Sequence, residues 1–176
     1  MNDNRLLSIL RECLRQESDL VDLLSEDDYK ADAPGRYRSS VGKHIRHNLD
    51  HFTAFFAGLD AGRIDYETRQ RNQEVESSTT HCKELIHEFL EQLAHLETAS
   101  YRGIRVRLED GAPLEQAVWV DSSIERELQF LLGHTVHHHA IIAMILGQRG
   151  IEMPEGFGVA PSTQRFEKEK SIILEV

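Results

Sequence analysis

Apolar residues recur every three or four positions along four stretches of this chain, and that spacing restricts it to a fold of packed helices. Leu6, Leu7, Leu10, Leu14, Val21 and Leu24 mark a first helix over about residues 4–26, with Asp3 available as its N-cap. Pro34 and Gly35 interrupt the pattern, and Ser39 or Ser40 can cap a second helix over about 40–60. Its stripe is Val41, Ile45, Leu49, Phe52, Phe56 and Leu59. The connector "AGRIDYETRQRN" leads to a third helix within about 68–98, defined by Leu85, Ile86, Phe89, Leu90, Leu93 and Leu96. Its polar start, "EVESSTTHC", leaves the first turn open. A fourth helix runs from Ser122 or Ser123 to Gly147 or Gly150, with Glu125 and Glu127 at its positive end.

Between the third and fourth helices the period drops to two. Ile104, Val106 and Leu108 alternate with arginines, and "LEQAVWVD" supplies a second run after a Glu-Asp-Gly turn, the pattern of a β-hairpin with Trp119 as core or pocket wall. A Pro- and Gly-containing loop, "MPEGFGVAPST", and a tail, "SIILEV", suited to an edge strand or to docking on a partner, complete the chain. The expected fold is all-α: one domain over residues 1–176, an up-and-down four-helix bundle with long connections and a small β-hairpin inserted between helices 3 and 4.

Charge narrows the partners. Twenty Lys and Arg oppose thirty Asp and Glu, a net −10 without a segregated basic face, so no nucleic acid is expected. The longest apolar run, "AIIAMIL", is too short for a bilayer, and the N-terminal segment lacks the pattern of a signal peptide. A cytoplasmic protein with no membrane association is expected, with Cys13 and Cys82 as small buried hydrophobes rather than nucleophiles.

Four of the ten histidines fall within residues 134–139. His134 and His138 stand one helical turn apart, the spacing by which a helix offers two imidazoles to one metal ion, and they share a face with apolar neighbours. His137 and His139 point elsewhere on that reading. In the second helix His44, His47 and His51 span an arc of about 60° at roughly 100° per residue. A three-imidazole site between the two helices follows, drawn from both clusters, and the apolar stripe places His44 and His51 nearer the core than His47. A two-iron carboxylate site is not expected, because Glu84 with His87 makes only one Glu-x-x-His repeat.

The strings "SVGKHIRHNLDHF", "IDYETRQRN", "ELQFLLGHTVHHHAIIA" and "FGVAPST" together resemble the DinB-like family of bacterial metal-binding four-helix bundles over nearly the whole chain. The resemblance implies a homodimer with one divalent metal per subunit, zinc or nickel first among the candidates. It places the ligands on His47, His134 and His138, with His51 and then His44 as alternatives on the second helix. It also implies a metal-dependent transferase that holds a low-molecular-weight thiol as thiolate against a small electrophilic substrate, in detoxification or stress response. Arg69 and Arg71 are then candidates to hold a substrate carboxylate, the alternative being a surface ion-pair cluster with Asp65 and Glu67. A non-catalytic metal-binding or stress-sensing dimer is the competing functional class.

Overall fold

The computed structural model describes residues 5–33, 38–98 and 103–174, with backbone only over 171–174; Asp3, Pro34 and Gly35 lie outside the described residues. Long helices form where the apolar stripes are: α1 (Arg5–Leu23), α3 (Val41–Leu59), α5 (Thr79–Ala94) and α6 (Ile124–Gly147). Helix α1 packs on α5 and α6, and α3 packs on the same two. Leu10, Leu14, Leu49, Phe52, Ile86, Leu93, Leu128, Leu131 and Leu146 are among the residues buried where they meet. Serine caps set three of the starts: Ser40, Ser78 and Ser123 each accept a hydrogen bond from the backbone N–H three residues on. Helix α6 has the length and composition of a membrane-crossing helix, but here Leu128, Leu131, Leu132, Ile142, Ile145 and Leu146 are buried in the core that it forms with α1 and α3.

Four parts of the fold differ from the sequence expectation. After α1, Ser25 caps a separate short helix α2 (Glu26–Lys30). Arg149, just beyond α6, donates to the carbonyls of Asp28, Ala31 and Asp32 and so satisfies the orphan acceptors at the end of α2. The expected third helix is divided into α4 (Gln73–Ser77) and α5, because Asn72 caps the first and Ser78 the second. Of its five residues α4 buries only Val75, too little to hold a continuous helix on the core.

The hairpin is part of a three-stranded sheet. Strand β1 (Arg63–Ile64), from the connector, pairs in parallel with β2 (Arg105–Arg107), which pairs antiparallel with β3 (Trp119–Asp121). Trp119 is half-buried beneath the Arg63 guanidinium, 5.5 Å from its ring centroid, and belongs to the sheet rather than the core. The tail is helical: α7 (Pro161–Leu174) takes in the first four residues of "SIILEV", so these form no edge strand, one of the two roles expected of them.

The sheet positions the connector that follows β1, and it does so through a close approach to α3. A Cβ on Gly58 would lie 2.4 Å from the Arg63 carbonyl oxygen and 2.8 Å from Ile64 Cα. Backbone cannot yield as a flexible side chain does, so Gly58→Ala should destabilise the protein by about 2 kcal/mol in urea unfolding. An unchanged midpoint would show that β1 does not sit against α3.

Candidate metal centre

Helices α3 and α6 face each other, and their histidines meet. His44, His47 and His51 come from α3, His134 and His138 from α6. The ring centroids of His51 and His134 are 3.9 Å apart, those of His134 and His138 4.5 Å, and those of His47 and His138 4.8 Å. His47, His51 and His134 each offer a ring nitrogen, all three within 4.8 Å of one another. Nitrogens shared by one tetrahedral ion at about 2.0 Å stand about 3.3 Å apart, so small side-chain rotations suffice to close the site.

The hydrogen bonds fix where several protons lie. The His47 carbonyl can only accept, so His51 Nδ1 carries a proton and donates to it at 2.7 Å, leaving the Nε2 lone pair of His51 free. Arg69 Nη2 lies 3.3 Å from His47 Nδ1, and since a guanidinium only donates, that nitrogen holds a lone pair. His44 and His138 approach through their Nδ1 atoms at 3.1 Å, one donating and the other accepting. His134 Nε2 is buried and has no hydrogen-bond partner among the described residues. An orphaned polar atom of this kind is costly unless something else satisfies it.

The cluster is neutral at physiological pH. Burial, reinforced by neighbouring imidazoles, lowers His134 to about 2 and His138 to about 3. Burial likewise lowers His47 and His51 to about 4, with Arg69 and Arg46 adding to the effect, and it lowers His44. Unprotonated imidazoles are the form a metal requires. Tyr66 stacks on His51 at 5.6 Å and Phe130 on His134 at 5.7 Å, walling one side with aromatic surface. Burial and the Glu127 carboxylate keep the Tyr66 hydroxyl protonated well above the usual phenol range.

The two arginines separate. Arg69 is four-fifths buried at the cluster, with Nη1 donating to the Tyr66 carbonyl and, at 3.2 Å, to Glu109. Its carboxylate partner is therefore Glu109; Asp65 instead accepts from Arg107 and Thr68. Arg71 is exposed and lines a groove of about 670 Å³ with Phe56, Gln73 and Phe89, which contains none of the clustered histidines.

Comparison with family models, curated proteins and solved structures returned no match. The DinB-like resemblance therefore rests on the motifs alone.

His139 departs from the sequence expectation. It points inward: 1% exposed, it shares a 2.8 Å hydrogen bond with Glu17 Oε2, which also accepts from Asn48 Nδ2 at 2.8 Å. Thr135 donates to Asn48 Oδ1, and Phe157 stacks on the His139 ring at 4.3 Å. The signal was present in the sequence, since Leu128, Leu132, Thr135, His139, Ile142 and Leu146 form a second inward stripe on α6, and Glu17 continues the Leu10, Leu14 stripe of α1. A helix buried against two partners has two such stripes. His137 is exposed, as its position on the wheel requires.

Two outcomes follow. Glu17→Ala should cost about 3 kcal/mol of unfolding free energy, because His139 and Asn48 lose their shared buried acceptor; a loss under about 1 kcal/mol would show that the network is not holding α1 to α6. Metal-free protein should be most stable above pH 6.5, the ordinary imidazole value, and lose stability as pH falls toward about 4. In that window the unfolded chain binds more protons than the folded one. A melting temperature that is flat from pH 7 to pH 4 would contradict the buried, neutral cluster.

Proposed function

We propose that the protein binds one divalent metal ion between α3 and α6 and uses it in chemistry on a small molecule. The buried His134 Nε2, without a hydrogen-bond partner among the described residues and set among neutral imidazoles, carries this reading. His47 and His134 are two of the ligands. Proximity favours His51 as the third, and its Nδ1–H bond to the His47 carbonyl orients the ring as the outer bonds of metal-ligating histidines do. The DinB-like resemblance puts His138 in that place instead, and His138 has a comparable orienting contact in His44. Imidazole donors suit zinc and nickel.

A bound divalent ion supplies Lewis acidity, lowering the pKa of a thiol or water that joins its shell. The chain contributes neutral donors, an aromatic wall of Tyr66 and Phe130 that limits water, and a cation, Arg69, for a substrate carboxylate. The reaction class in this proposal is transfer of a small thiol to an electrophile, carried by the DinB-like resemblance, which also implies a homodimer. Arg71 has no part in it, because it faces the separate groove.

Purified protein should contain about one divalent metal per chain, and His134→Ala should lose most of it by elemental analysis; full retention in that variant would remove the site. His51→Ala should lose metal and His138→Ala retain it, whereas the reverse would restore the ligand set of the resemblance. The reaction class is checked by metal-dependent consumption of glutathione, bacillithiol or mycothiol with a model electrophile. Stoichiometric metal without turnover on any of these thiols would leave a binding module.

A further inference from the structure

Arg69 makes its contacts with the cluster under a condition that metal binding removes. Its Nη2 donates to His47 Nδ1 at 3.3 Å, which requires a lone pair on that nitrogen. Coordination through Nδ1 uses the lone pair. Coordination through Nε2 displaces the proton there, the neutral ring then carries it on Nδ1, and an N–H faces the guanidinium. Either way the hydrogen bond is lost.

Charge acts in the same direction, since a fixed guanidinium beside a ligating ring opposes a dication. The other two contacts of Arg69, to the Tyr66 carbonyl and Glu109, do not involve the histidines and survive. The guanidinium is thus tethered at Nη1 and free to turn at Nη2.

Resting on the metal reading above, we propose that Arg69 and the metal ion compete for His47, so that metal loading releases Arg69 to bind a carboxylate beside the ion. The carboxylate is the matching ligand class because it offers paired oxygens to a guanidinium while its charge offsets the repulsion between guanidinium and metal. Arg69 then serves as a positioning and specificity residue that is withheld from anions until metal is present.

The test is zinc affinity measured by chelator competition at pH 7, with and without acetate, on the full chain and on Arg69→Ala. Arg69→Ala should bind zinc about tenfold more tightly than the unaltered chain in the absence of acetate, because both the competing hydrogen bond and the nearby charge are gone. Acetate should tighten zinc binding to the unaltered chain and leave Arg69→Ala unchanged. Arg69→Gln, which removes the charge while keeping a side-chain donor for the Tyr66 carbonyl, should also bind zinc more tightly and serves if the alanine variant does not fold. Equal or weaker zinc binding in the folded variant, or equal tightening by acetate in both proteins, would overturn the competition. If the unaltered chain binds no zinc, or binds it equally well as His134→Ala, the metal reading fails as well, which is a different result from zinc bound normally and insensitive to Arg69.

Discussion

The packing of α3 on α6 is the contact on which the rest of the site depends. It gathers five imidazoles at one place, with His44, His51 and His138 buried and His47 and His134 partly so, and an imidazole nitrogen shut off from water must find a partner or stay unsatisfied. His44 and His138 meet the requirement through each other, His51 through the His47 carbonyl, and His47 through Arg69. His134 Nε2 has no such answer among the described residues. The same burial that creates the deficit keeps the rings unprotonated, so the cluster presents lone pairs where a cation could use them.

A second buried polar arrangement lies on the other inward face of α6. Glu17 of α1 receives Asn48 of α3 and His139 of α6, and so joins three helices through one carboxylate. Gly158, with φ +73°, presses the loop before α7 against α6: a Cβ there would lie 2.7 Å from Ala140 N. That approach seats Phe157 on His139. One face of α6 therefore holds the histidines proposed to act on metal, and the other anchors the helix that carries them. With α6 held from behind by Glu17 and Phe157, the positions of His134 and His138 relative to α3 are fixed by the core.

Much of this was legible in the residues. The apolar stripes locate the long helices, Ser40 and Ser123 cap where a capping residue was expected, and the 134/138 spacing with the 44/47/51 arc predicts that the clusters meet. The wheel also ranks burial on α3 correctly, with His44 and His51 buried and His47 partly exposed. The failures have physical causes. A period argument that assigns a helix one buried face misplaces His139, because α6 has two. The pairing of β1 with β2 joins residues some forty positions apart, which no local pattern reveals, and two residues are too few to alternate. Arg69 and Arg71 look equivalent in "TRQR", yet in extended chain one turns to His47 and its neighbour but one to an unrelated groove, a consequence of where β1 and α4 hold the connector.

The central claim is that imidazoles from α3 and α6 share one ion, and X-ray absorption at the metal edge tests it most directly. Zinc-loaded protein should show a shell of three imidazole nitrogens at about 2.0–2.1 Å with no sulfur. Cys13 and Cys82 lie in the core, where burial raises both thiols to about 12, so they are not expected to compete. A sulfur shell near about 2.3 Å, or a shell of oxygens without the outer scattering of imidazole rings, would contradict the account.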